Sequence, residues 1–189
     1  MTEVTSSAVS VILPVLNEEH YLANAVNAIL RQDFKGPIEV ILAIGPSKDR
    51  TLQIAEGLAA ADSRVKIVEN PTGRTAAGLN LAIANSIYPI IVRVDGHANI
   101  PDDYISIAVE LLRTTGAVNV GGVMAAEGHT PFECAVASAM RSPLGVGAAK
   151  FHTGGSAGES DTVYLGVFKR EAINACLLYT SDAADDTPC

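Results

Sequence analysis

Apolar residues arrive in short dense runs, separated by stretches with helical spacing, and this alternation sets the architecture. Val9–Val15 is almost entirely apolar, which predicts a strand covered on both faces. Pro14 near its end suggests that the strand is finishing, because proline interrupts ladder pairing. Leu22, Val26, Ile29 and Leu30 then follow the stripe of an amphipathic helix. Asn17 is its expected N-cap, with Glu18 and Glu19 in the first turn where the dipole favours acids. A turn at 34–37 leads to a second strand, Ile38–Ile44, and a helix over 50–61. A third strand at 65–68 precedes a small-residue helix over 75–85. The fourth apolar run begins at Ile90 and ends in Asp95-Gly96-His97. Pro101 suits the first position of the next helix, whose apolar face is Ile105, Val109 and Leu112. A fifth strand is expected at 118–124, a helix at 132–140 and a last strand at 162–168. Strands alternating with helix-sized segments predict right-handed βαβ units. The fold class is therefore α/β, with a mainly parallel sheet and helices on both faces.

Two stretches break the pattern. Residues 145–161 are rich in glycine and serine around Phe151, His152 and Glu159, and loops of that length are usually functional or mobile. Beyond Ala175 the chain carries three acids, Asp182, Asp185 and Asp186, and no base. This terminal stretch resembles the translated read-through of a sequencing adapter. The expected division is a tail at 1–8, a domain at 9–175 cut short at its C-terminal end, and a non-native tail at 176–189.

Composition narrows the class. At 48% hydrophobic and 18% charged, the 189-residue chain is globular and long enough to bury a core. No apolar run reaches the ~18 residues of a membrane span, and no secretory signal opens the chain. A cytoplasmic domain is expected. The formal charge of −8 argues against a nucleic-acid partner but leaves a phosphorylated small molecule open, since a metal ion and backbone amides can hold phosphate. Cys134, Cys176 and Cys189 have neither metal-ligand spacing nor a disulfide pattern.

The candidate chemistry gathers after the strands, where ligands of α/β sheets collect. Pro14, Asn17 and Glu18 follow the first strand and can present amides and a carboxamide to a nucleotide; read locally, they also serve as a helix cap. Asp49 can accept hydrogen bonds from a base or ribose, or decorate a helix start. Arg74 sits poorly beside the positive end of a helix, which suggests an anion there. Asp95 and His97 flank a glycine that lets another group approach the backbone closely. They can hold a divalent cation: aspartate suits Mg²⁺ or Mn²⁺, and imidazole tilts the choice toward Mn²⁺.

In this order, these pieces resemble family 2 of the inverting nucleotide-sugar glycosyltransferases, with the GT-A fold, over about 10–175. Residues 94–98, Asn119-Val120-Gly121-Gly122, Thr130-Pro131-Phe132-Glu133, Phe151-His152-Thr153-Gly154-Gly155 and Asp161-Thr162-Val163 resemble the succinoglycan-biosynthesis type of bacterial exopolysaccharide transferase. The resemblance implies that Pro14, Asn17 and Glu18 lie near the nucleoside, with Asp49 in the same pocket. It implies Arg74 at the diphosphate, and Asp95 and His97 at the Asp-x-Asp position that holds the metal and ribose. A nucleoside-diphosphate sugar donor, a glycan or lipid-linked acceptor and Mn²⁺ or Mg²⁺ follow. The full-length protein is expected at the inner face of the membrane.

Three positions depart from the family pattern. Ile44-Gly45-Pro46 stands where an aspartate commonly binds the base. The metal motif ends in histidine rather than aspartate. The catalytic base is expected downstream of Ala175, so this chain should bind donor and turn it over poorly. Two rivals remain. A nucleotidyltransferase would want a glycine-rich loop with a basic residue where Leu16-Asn17-Glu18-Glu19 stands. A non-catalytic nucleotide-sugar-binding or interaction domain would also lack catalytic acids.

Overall fold

The computed structural model describes residues 8–126, 130–140, 142, 158–159 and 163–176. Most of the 145–161 loop, the 151–155 motif and the stretch beyond Cys176 lie outside these residues. The elements run β1 (Val9–Val15), α1 (Leu22–Leu30), β2 (Ile38–Ile44), α2 (Thr51–Ala61), β3 (Val65–Glu69), α3 (Thr75–Ala84), β4 (Ile90–Arg93) and α4 (Tyr104–Thr115). They continue as β5 (Asn119–Gly122), α5 (Pro131–Met140), β6 (Tyr164–Lys169) and α6 (Arg170–Cys176).

The sheet order is β3-β2-β1-β4-β6-β5. β1 pairs in parallel with β2 from Val9↔Ile38 to Val15↔Ile44, and with β4 from Val9↔Ile90 to Ile12↔Arg93. β2 and β3 are also parallel, whereas β6 runs antiparallel to β4. Successive strand residues point to opposite faces. Every residue of β2 is buried, and all of β1 but half-buried Pro14, so both faces of the sheet are covered at these two strands. One core cluster joins Ile12, Ile41 and Ile91 of the strands to Leu79 and Ala82 of α3 and Ile173 of α6.

The chain divides into two units, one reaching Asn119 and resuming at Val167, the other spanning Val120–Gly166. Within the second, β5 and the start of β6 pack so tightly that a Cβ on Gly121 would lie 2.6 Å from the Tyr164 carbonyl oxygen.

β1 spans Val9–Val15 as expected, with Pro14 one residue from its end. The Ile12 carbonyl accepts from Val94 N–H at 3.1 Å, so Pro14, two residues on, turns its missing N–H to the same edge, past the end of the β4 ladder. Asn17 is not the cap of α1, which starts at Leu22 with Tyr21 at the N-cap position. Pro101 does not open α4, which starts at Tyr104. The side chain of Gln32, buried beyond α1, donates to the Pro101 carbonyl at 2.6 Å and accepts from Ile105 N–H at 2.9 Å, capping α4 from outside. β5 is shorter than 118–124, and β6 is shifted from 162–168 and passes directly into α6.

Candidate functional site

β1, β2, β3 and β4 are parallel, so the loops that follow them emerge at one edge. The first two loops are stitched together. Asn17 takes the left-handed conformation at φ 57°, which asparagine tolerates better than most residues. Its N–H donates to Ser47 Oγ at 3.0 Å, and its Oδ1 accepts from Lys48 N–H at 2.8 Å. Those bonds explain why it does not cap α1. The Glu18 N–H donates to the hydroxyl of buried Thr51 at 2.7 Å.

Asp49 Oδ2 accepts from Glu19 N–H at 3.2 Å, while its Oδ1 accepts from Thr51 N–H at 3.0 Å and Thr51 Oγ1 at 2.5 Å. Both carboxylate oxygens are therefore already used to brace the loops. The Thr51 hydroxyl, helped by the N–H groups of Thr51 and Glu19, holds the Asp49 carboxyl below its ordinary pKa. Glu19 is lowered in the same way, first by the Arg50 N–H and then by its guanidinium.

The third loop closes against these two. Gly73 lies at φ 68°, a conformation glycine adopts without penalty, and a Cβ there would stand 3.1 Å from Pro46 Cδ. Buried Asn70 holds the loop through Nδ2 to the Arg74 carbonyl at 3.0 Å. Arg74 is exposed at the N-cap of α3. Pro14 faces α3, 3.4 Å from where a Cβ on Gly78 would be, and so packs the floor of this edge.

The fourth loop carries the acid and the imidazole. The Asp95 carbonyl accepts from Ala98 N–H at 2.9 Å, a turn that presents Gly96 and His97. Asp95 Oδ1 accepts from Arg93 Nε at 3.1 Å. His97 Nδ1 meets Glu18 Oε1 at 2.8 Å, across 79 residues of sequence. The side chain of Glu18 is 17% exposed and that of His97 61%. Gly96 does admit a close neighbour: a Cβ there would lie 3.0 Å from Glu18 Cγ.

Glu18, Gly96 and His97 are thus brought together, Asn17 and Asp49 are drawn into the loop framework, and Arg74 heads α3. The sequence reading missed Ser47 and Thr51, whose small hydroxyls carry no pattern of their own. It also missed Glu39, although a single acid inside an otherwise apolar strand was a visible signal.

Among the described residues, no three His, Cys, Asp or Glu side chains group closely enough to hold a metal ion. A hard divalent ion commonly takes one or two protein carboxylates and completes its shell with substrate phosphates and water. Asp95 and His97 supply one carboxylate and one imidazole at this edge, and no closed protein cage is built among the described residues.

Comparison with known proteins gives the lineage. The chain is 35% identical over 156 residues to the succinoglycan biosynthesis protein ExoA of Rhizobium meliloti, covering 80% of this chain and 47% of that protein. It thus spans about half the length of this relative. The crystal structure of Staphylococcus aureus TarS 1-349 superposes with a TM-score of 0.67 at 20% identity, over 91% of this chain and 50% of that one. Mannosyltransferase PcManGT of Pyrobaculum calidifontis, in complex with GDP-Man and Mn²⁺, superposes at 0.62 with 23% identity, over 88% and 46%. These likenesses bear out the GT-A arrangement of the sheet. The model of glycosyl transferase family 2 matches residues 10–176, and the chain belongs to that family.

Proposed function

We propose that residues 9–175 form the donor-binding domain of an inverting glycosyltransferase. The donor is a nucleoside-diphosphate sugar, and the acceptor a glycan or a lipid-linked glycan at the inner face of the membrane. The reading rests above all on one observation: Asp95, His97 and Glu18 share the edge at which the loops after β1, β2 and β4 emerge. Relatives and neighbours named for polymer synthesis and solved with UDP-GlcNAc or GDP-Man and Mn²⁺ support it.

In this reading the backbone around Pro14, Asn17 and Glu18 borders the nucleoside, with the braced Asp49 loop as the adjoining wall. Arg74 and the start of α3 face the diphosphate. Asp95 and His97 hold Mn²⁺ or Mg²⁺ together with donor phosphates. The cation, when bound, supplies positive charge where the leaving nucleoside diphosphate gains negative charge. In the transfer, an acceptor oxygen bonds to the anomeric carbon as the bond from that carbon to phosphate breaks, with inversion. A base must take the acceptor proton, and no described residue is assigned to that role. Among the described residues no helix is long and apolar enough to cross a membrane.

Binding is therefore the activity to measure. Titration calorimetry with UDP and GDP, with and without Mn²⁺, is expected to give heat that depends on the metal. Asp95→Ala should remove that dependence. No metal-dependent heat from either nucleotide would overturn the proposal, and an Asp95→Ala variant with unchanged metal affinity would remove Asp95 from the cation.

A further inference from the structure

We infer that Glu18 is a positioning residue for His97: it fixes the imidazole by Nδ1 so that the lone pair of Nε2 is presented to the cation of the donor complex. This rests on the donor-site reading above and changes the part Glu18 plays in it, from nucleoside neighbour to support for a metal ligand.

The chemistry follows from the contact. An ionised carboxylate only accepts hydrogen bonds, so the proton in the 2.8 Å Glu18–His97 contact belongs to Nδ1. A neutral ring protonated at Nδ1 has its lone pair on Nε2. Histidines that bind metals usually donate their other N–H to a carboxylate or carbonyl in this way, which fixes the ring and raises its basicity. Here the motif ends in histidine, and a carboxylate from the first loop stands behind it.

The arrangement is built from several sides. The Glu18 backbone is held by the hydroxyl of fully buried Thr51 at 2.7 Å. Its Cγ occupies space that a side chain at position 96 would fill, lying 3.0 Å from the Cβ site of Gly96. The turn closed by Ala98 N–H on the Asp95 carbonyl at 2.9 Å sets both Asp95 and His97. A partly exposed contact of this kind adds little to stability, so stability alone gives little reason for this construction.

The test is a double-mutant cycle with a spectroscopic arm. Nitrogen-15 NMR of the histidine rings at pH 8 reports the tautomer of His97. Electron paramagnetic resonance of Mn²⁺, with UDP or GDP present, reports metal affinity without any turnover. The wild type is expected in the Nδ1–H form. Glu18→Ala should lose that form and weaken Mn²⁺ by about 10–100-fold. His97→Ala should weaken it at least as much, and the double variant no further than His97→Ala. Glu18→Met, which keeps the bulk against Gly96 but is only a weak hydrogen-bond acceptor, runs the same cycle should the alanine variant fail to fold. Glu18→Gln, whose amide oxygen still accepts, should keep the tautomer and recover affinity.

Losses that multiply in the double variant would mean that Glu18 touches the ligand itself, and would overturn the inference. So would an unchanged tautomer, or wild-type Mn²⁺ affinity, in Glu18→Ala. In those outcomes the donor-site reading survives. A wild type that takes up no Mn²⁺ with either nucleotide overturns both.

Discussion

At the scale of single residues, two glycines make opposite predictions from similar geometry. A Cβ at Gly96 would meet Glu18 Cγ at 3.0 Å, and a flexible glutamate side chain can give way by a few tenths of an ångström. Gly96→Ala should therefore cost less than about 1 kcal/mol, yet shift Glu18 off His97. A Cβ at Gly78 would meet Asn70 Nδ2 at 2.9 Å, Pro14 Cβ at 3.4 Å and Ala43 Cβ at 3.5 Å. Asn70 is buried and tied to the Arg74 carbonyl, so nothing there can retreat. Gly78→Ala should cost about 1–3 kcal/mol by overpacking. Urea unfolding of both variants, with NMR of the His97 ring, checks the pair; equal stability losses would contradict it. Asp95, Gly96 and His97 were legible in the sequence because they end an apolar run. The link from His97 to Glu18 was not, since contacts across the chain depend on which strands become neighbours.

At the scale of elements, β1, β2 and the starts of α2 and α3 were legible, and the starts of α1 and α4 were not. β1 and β2 announce themselves by unbroken apolar runs. Asn17 is engaged by Ser47 and Lys48, and the start of α4 by Gln32, partners that no local pattern reveals. β2 also carries the clearest electrostatic device outside the site. Glu39, with a side chain only 5% exposed, accepts from Ser10 Oγ at 2.6 Å, Lys66 Nζ at 2.8 Å and Ile87 N–H at 2.7 Å. Burial by itself pushes its carboxyl up, but the bonds from Lys66, Ser10 and Ile87 outweigh that and hold it below the ordinary value of 4.5. A lowered carboxyl stabilises the fold fully above its unfolded value, and that part is lost as pH falls through the folded value. Stability should therefore drop below about pH 4.5 and flatten there in Glu39→Gln, as measured by melting temperature against pH. Glu39→Ala leaves three donors without their acceptor and should cost about 2–4 kcal/mol at neutral pH. A loss under a tenth of that range would mean the cluster is decoration.

At the scale of the whole molecule, parallel order along β3-β2-β1-β4 followed from the alternation of strands and helices, but the antiparallel return of β6 did not. Direction is set by how the chain comes back after the second unit, which apolar spacing does not encode. That return matters for folding. β6 pairs with β4 from Ile90↔Lys169 to Val92↔Val167, and α6 adds Ile173 to the core beside Ile12, Ile41 and Ile91. Arg170 bolts the junction: its N–H reaches the Pro89 carbonyl at 2.9 Å, Nε the Tyr88 carbonyl at 2.7 Å, and a terminal nitrogen Ser86 Oγ at 2.7 Å. Burial draws this guanidinium below its ordinary pKa, with the charge of Glu39 opposing. A chain ended at Asn119 would leave β4 as an open edge of buried apolar residues and empty the place of Ile173, and such edges pair with other chains. It should aggregate. Residues 120–166 are a different matter, because Lys169 N–H donates to the Val118 carbonyl at 2.9 Å and the two flanking ends are already neighbours. Replacing 120–166 by a short Gly-Ser linker keeps Val167–Lys169, the part of β6 that pairs with β4, together with Arg170 and Ile173, and closing a short loop adds little entropy cost. That chain is expected to stay monomeric and to unfold in one cooperative transition by calorimetry and circular dichroism. If it aggregates as the Asn119-ended chain does, the first unit depends on the second for its folding, and the return strand is not what completes it.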